Sequence, residues 1–152
     1  MPEALSYELH KLTARLDNAA DGLLRREAGV SYARFLALFA VAETGGSQRD
    51  MARWLGLTEP SASRMVAVLA AEGLLEVERI PGAGNRRQLQ LTDDGARLVE
   101  RCSQMLEEWF VDLVARSGVP FAAYQRHTRR LLARLDSDQH ETATRSGGGE
   151  RA

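Results

Sequence analysis

The residues best placed to do chemistry in this chain are polar donors gathered between Ser47 and Leu75, not acids, thiols or metal ligands. Ser61, Ser63 and Arg64 follow Thr58-Glu59-Pro60. In that opening threonine caps a helix, glutamate meets the positive end of its dipole, and proline takes a first-turn place whose amide has no partner inside the helix. Ala62, Met65, Val66 and Leu69 recur at three- and four-residue steps and must be buried, so Ser61, Ser63, Arg64 and Ala67 face outward. Short side chains with one long cation let a helix come close to base edges in a DNA major groove, where arginine offers paired donors to guanine. A shorter helix precedes it: Ser47 with Asp50 opens it, Ala52 and Leu55 give its apolar face, and Gly56 stops it. Gln48 and Arg49 in its first turn are candidate phosphate anchors. Ser31, Ser47, Thr58 and Pro60, at the starts of successive helices, complete the candidate contact set.

Enzymatic chemistry has no foothold. The chain lacks a Gly-x-Ser-x-Gly elbow and a phosphate-binding glycine loop, and no histidine lies near the serines of the central stretch. Three scattered histidines (His10, His127, His140) and one cysteine, Cys102, show no metal-ligand spacing and exclude an internal disulfide, so neither cofactor nor metal is expected. No apolar run approaches the roughly 18 residues of a membrane span and the first residues do not form a secretion signal, which predicts a soluble, cytoplasmic protein. Its 152 residues, 44% of them hydrophobic, suffice for one domain with a core plus an oligomerisation element. A net charge of −1 gives no global nucleic-acid signature, so positive charge must act locally. It is concentrated between Arg79 and Thr92, where three arginines stand without an acid. All the basic residues except Lys11 are arginine, a bias that coding composition explains as well as phosphate recognition does.

The elements that must position these donors follow from periodicity. Leu5, Leu9, Leu12, Leu16, Ala19 and Leu23 form the seam of a first helix, ended by Gly29. Ser31 caps a second, whose Phe35, Leu36, Leu38, Phe39 and Val41 predict burial over most of its surface. After Leu75 the period becomes alternating: a strand over 76–80, a Pro-Gly-Ala-Gly-Asn turn, and a returning strand over 86–91. Leu89 and Leu91 then face the core, while Arg86, Gln88 and Gln90 face away. Arg86 and Arg87 flank the hairpin tip, where they can lie along a minor groove or a phosphate row. Thr92 caps a long helix with two apolar stripes (Leu98, Cys102, Met105, Trp109 and Leu113; Val99, Leu106, Phe110 and Val114), and Phe121, Tyr124, Thr128, Leu131, Leu132 and Leu135 line a last one. The predicted fold is mainly α with a small β-hairpin wing. A winged helix-turn-helix occupies 31–92, a helical dimerisation region 1–30 and 93–136, and a polar tail expected to be disordered 137–152. Stripes at opposite ends of the chain pack most economically on each other and on a second copy. A two-fold dimer would set two reading helices about one DNA turn apart, roughly 34 to 36 Å, on a palindromic site.

From about Leu5 to Leu135 the chain resembles MarR-family (multiple antibiotic resistance) transcriptional regulators. The resemblance rests on Gly29-Val30-Ser31, on Arg49-Asp50-Met51-Ala52 through Leu55-Gly56-Leu57, on Ser61-Ala62-Ser63-Arg64 through Leu69 and Glu72-Gly73-Leu74, and on Leu91-Thr92 to Gly95. It implies a homodimer that binds an operator through its fourth helix and wing, acts as a repressor, and is released by a small aromatic or phenolic effector. The sequence departs from the family at the wing, where an Asp-x-Arg signature usually braces the arginine. Here Asn85-Arg86-Arg87, or Ala83 and Asn85 counted back from Thr92, offers no such acid.

Tyr7, His10, Tyr32 and Trp109 are the candidate effector-binding residues, although such side chains at helical spacing are commonly plain packing. Two alternatives stand beside the regulator reading: a winged helix used only for protein association, and a redox-sensing regulator using Cys102. The place of Cys102 on an apolar stripe argues for a packed, inert thiol.

Overall fold

The computed structural model describes residues 4–82, 84 and 86–146. Six helices and one hairpin follow in order: α1 (Leu5–Ala28), α2 (Tyr32–Thr44), α3 (Gln48–Leu55), α4 (Glu59–Ala71), β1 (Leu75–Arg79), β2 (Arg87–Leu91), α5 (Asp93–Ser117) and α6 (Phe121–Ser146). The expected class, mainly α with a hairpin wing, is the observed one. The chain divides into two compact units, residues 1–106 and 107–152. Ala83 and Asn85, on which the missing wing brace was argued, lie outside the described residues.

The helix starts work as their sequences dictate. Ser31 Oγ accepts from the Arg34 N–H at 3.2 Å, Ser47 Oγ from Asp50 at 3.3 Å, Thr58 Oγ1 from Ser61 at 3.3 Å, and Thr92 Oγ1 from Gly95 at 3.0 Å. Each side chain satisfies a first-turn donor that the helix itself cannot. With those starts set, α2, α3, α4 and the hairpin close over one core. Ala37, Leu38, Ala40 and Val41 of α2 meet Met51 and Ala52 of α3, Ala62, Val66 and Leu69 of α4, and Leu75 and Leu89 of the strands. A second cluster joins Leu24 of α1, Val30, Phe35 and Cys102.

The hairpin is held to the helices by a contact that alternation did not foretell. β1 pairs antiparallel with β2, Val77 opposite Leu89, and an isolated bridge joins Gln88 of β2 to Ser47. The Leu89 N–H donates to the Gly46 carbonyl at 2.6 Å, and Gln88 Nε2 donates to the Gly45 carbonyl at 2.5 Å. Gln88 was expected to face away from the protein; instead it is half-buried because its amide ties the wing to the α2–α3 corner. Gly46, at φ 93°, lies so near the Leu89 carbonyl oxygen that a Cβ there would overlap it. The other end of the wing is clamped by Thr92, whose hydroxyl donates to the Gly73 carbonyl at 2.6 Å and whose N–H donates to that of Leu74 at 3.2 Å.

On α1 the residues that enter the chain's own core are Ala20 and Leu24, one position beyond Ala19 and Leu23 of the expected seam. Leu5, Leu9 and Leu12 of that seam are exposed, at 67%, 42% and 41%. Taken by itself, the unit from residue 107 contains the rest of α5 and all of α6, with Trp109 tilted against Phe110 at 6.3 Å, and Leu131, Leu132 and Leu135 are exposed. The tail expected to be disordered from residue 137 is corrected in part: α6 stays helical through Ser146, and residues 147–152 lie outside the described set. Once a helix is nucleated, each added residue brings a backbone hydrogen bond without repeating the nucleation cost. The Arg134–Asp138 ion pair at 2.8 Å also spans the expected boundary. Low apolar content therefore did not forecast where this helix ends.

Candidate nucleic-acid interface

Three segments far apart in sequence line one cleft of about 630 Å³: Ser47, Gln48, Arg49 and Asp50 at the start of α3, Glu59 at the start of α4, and Ile80, Arg86, Arg87 and Gln88 on the wing. The tie between Gln88 and the α2–α3 corner creates this neighbourhood, because it brings β2 alongside the first turn of α3. Arg49 and Arg86 are exposed and Arg87 is half-buried. The positive end of the α3 dipole adds to them, while Asp50 and Glu59 temper the charge. In the sequence those two acids stand only as helix-start residues; their place beside the wing arginines depends on a tertiary contact. Gln48 lines the cleft, and among the described residues its Oε1 is buried without a hydrogen-bond partner.

Along α4, Ser61 Oγ receives two hydrogen bonds, from Thr58 Oγ1 at 3.0 Å and from Arg64 Nη2 at 3.2 Å. A helical side chain leans toward the N-terminus, and the bond to Ser61, itself held by Thr58, fixes that lean for Arg64. Pro60 is exposed beside them and Ser63 is half-buried. Ser47 and Thr58 hold their hydroxyls on backbone amides, which commits them first to capping. Ser31 does the same at α2. Of the candidate contacts, Ser47, Gln48, Arg49, Arg86 and Arg87 line the cleft, whereas Ser31, Thr58, Pro60, Ser61, Ser63 and Arg64 do not.

The candidate effector residues scatter. Tyr7 is 61% exposed and His10 is exposed as well. Tyr32 sits at the α1–α2 junction, where its N–H donates to Asp21 Oδ1 at 2.9 Å. At a rise of about 1.5 Å per residue, Tyr7 lies roughly 21 Å along α1 from Asp21, so it shares no site with Tyr32 within one chain. Tyr32 instead begins a line of rings: it stacks on Phe35 at 6.1 Å, Phe35 meets Phe39 at 5.8 Å, and Phe39 meets Trp54 of α3 at 6.0 Å. Trp109 is half-buried. The Tyr32 N–H, with Arg25 beside it, holds the Asp21 carboxyl below its usual range, while burial pushes the Tyr32 phenol up. Burial likewise pushes the Cys102 thiol up, which keeps it protonated and disfavours redox sensing.

Among the described residues no group of three or more His, Cys, Asp or Glu side chains could hold a metal ion, and no helix is long and apolar enough to cross a membrane.

Comparison with known proteins places this geometry. Residues 28–87 match the model of the MarR family. The fold is shared with a DNA complex of MepR from Staphylococcus aureus (22% identity, covering 88% of this chain and 97% of that one, TM-score 0.70). It is shared with wild-type MarR from Escherichia coli in its apo form (18%, 89% and 98%, TM-score 0.72). It is also shared with NadR in complex with 4-hydroxyphenylacetate (20%, 90% and 92%, TM-score 0.69). A comparison with curated protein sequences finds no match. Residues 28–87 are thus similar to the MarR family, and the chain shares its fold with these three solved proteins.

Proposed function

We propose that the chain is a sequence-specific DNA-binding transcription regulator, a cytoplasmic repressor that binds a palindromic operator as a homodimer. The observation that carries this reading is the cleft where the α3 start, the α4 start and the wing arginines converge beside a helix that carries Ser61, Ser63 and Arg64 outward. Residues 31–92 read the duplex, α4 in the major groove and the wing along the minor groove or its phosphates. Gln48 and Arg49 anchor to the backbone, with Ser47, Thr58, Pro60 and Ser31 supporting the helix starts. The solved complex of MepR with DNA supports the same use of this fold. NadR with its bound 4-hydroxyphenylacetate supports a small aromatic or phenolic acid as the releasing effector, with Tyr7, His10, Tyr32 and Trp109 its candidate contacts, Tyr7 and Tyr32 coming from different protomers where both take part.

The experiment is a salt titration of binding to a duplex selected by the protein from a random-sequence pool. Wild-type affinity should fall steeply with salt, because arginines that neutralise phosphates release counterions. Changing both Arg86 and Arg87 to alanine should reduce the logarithmic slope by about 0.9 for each phosphate that is no longer neutralised. An unchanged slope removes the wing from the interface, and failure to select any duplex at low salt leaves protein association as the use of this fold.

Residues 1–30 and 93–136 form the dimerisation region in this reading, since Leu5, Leu9 and Leu12 of α1 and Leu131, Leu132 and Leu135 of α6 stand exposed. Changing Leu9 and Leu12 together to glutamate should convert a sedimenting dimer to monomer, because each charge would be desolvated at a buried seam. A dimer of undiminished stability would place the interface elsewhere.

A further inference from the structure

We propose that Arg34 and Glu72 are positioning residues that set the rotation of α4, and with it the specificity of base reading. This rests on the reading of α4 as the helix that enters the major groove. Arg34 Nη1 donates to Glu72 Oε1 at 2.6 Å, joining α2 to the residue that caps the end of α4. The pairs Arg25–Asp21, Arg53–Asp50, Arg97–Asp94, Arg116–Asp112 and Arg134–Asp138 each lie within a single helix. Arg34 and Glu72 instead bridge 38 residues.

Three features make this pair a positioning device. Glu72 puts a carboxylate at the negative end of the α4 dipole, an arrangement that is unfavourable alone, and α4 carries no basic residue in its last turn. Arg34 therefore supplies from α2 the cation that the helix end lacks. Second, Arg34 projects from a fixed base: its own N–H is capped by Ser31 Oγ, and the neighbouring Tyr32 N–H is held by Asp21 of α1. Third, the buried face of α4 is made of Ala62, Val66 and Leu69. Apolar contacts of this kind are non-directional, so a polar pair at the helix end adds a directional limit on rotation about the helix axis. Base readout tolerates little such rotation, because donors on Ser61, Ser63 and Arg64 must meet edges at hydrogen-bond distance. Both side chains are half-exposed (38% and 40%), so the pair contributes more to orientation than to stability.

The test measures affinity for two duplexes of equal length, one selected by the wild-type protein from a random pool and one scrambled. Arg34→Gln and Glu72→Gln shift the net charge in opposite directions, so a purely Coulombic effect must move DNA affinity in opposite directions. The proposal expects both variants to lose the selected-to-scrambled ratio by about tenfold. Their melting temperatures should stay within about 3 °C of wild type. The exchanged double variant, Arg34→Glu with Glu72→Arg, should recover most of the ratio. An unchanged ratio in both single variants, or opposite shifts in the two, overturns the proposal while leaving the regulator reading intact. If the wild-type protein selects no duplex, it is the regulator reading that fails.

Discussion

Replacing Gly46 by alanine is expected to destabilise the fold by more than about 3 kcal/mol, a fall in melting temperature of roughly 6 to 12 °C for a chain of this size. Two costs add. The backbone there has φ 93°, outside what L side chains adopt readily, and the new Cβ would overlap the Leu89 carbonyl oxygen. Leu89 cannot retreat cheaply, because its side chain is buried at 2% exposure and its N–H donates to Gly46 itself. Gly45 supplies the control. It too is left-handed, at φ 76°, but a Cβ there meets nothing within 4 Å. Gly45→Ala should therefore cost only the conformational strain, about 1 to 2 kcal/mol. Equal losses in the two variants, read by thermal denaturation, would mean that the approach of β2 to this corner does not carry the wing. Because Gln88 and Leu89 are tethered to the same corner, DNA affinity should fall with Gly46→Ala even at temperatures where the protein remains folded.

That tether also marks where sequence reading stopped. Caps and stops were legible because they are local: a hydroxyl meets an amide three residues on, and glycine supplies a positive φ at Gly29, Gly45 and Gly56. The buried face of α4 was legible because its period is helical. Alternation in β2 correctly turned Leu89 inward, but it assigned Gln88 to solvent, since strand parity cannot know that a third segment passes beside the edge. The seam of α1 was displaced by one position for a related reason. Leu5, Leu9 and Leu12 are exposed, whereas Ala20 and Leu24 are buried, and Leu24 follows the local fit to Val30, Phe35 and Cys102 instead of the stripe. Among the site residues, Gln48, Arg49, Arg86 and Arg87 are identified by type, whereas the approach of Asp50 and Glu59 to the wing arginines, and of Gln88 to the start of α3, is tertiary. Arg34 and Glu72 carry no local signal at all, as their pairing spans 38 residues.

Arg64→Ala should produce the largest loss of specificity, on the order of 1 to 3 kcal/mol on a selected duplex and clearly less on a scrambled one, if its guanidinium reaches a base edge. Lysine is not expected to substitute well, since it lacks the planar fork that matches two acceptors on one base. The hydrogen bonds around Ser61 add a sharper test. Ser61 Oγ accepts from Arg64 at 3.2 Å and from Thr58 at 3.0 Å, so part of its contribution is to hold the guanidinium in place before DNA arrives. Pre-organisation of this kind raises affinity by reducing the rotamer freedom lost on binding. Ser61→Ala should then weaken binding in the wild-type background but cost far less once Arg64 is already alanine. Binding isotherms for the two single variants and the double variant measure the coupling directly. Additive losses would show that Ser61 contacts DNA on its own account. Equal losses for Arg64→Ala on selected and scrambled duplexes would reduce Arg64 to a phosphate contact and shift base reading toward Ser61, Ser63 and the wing.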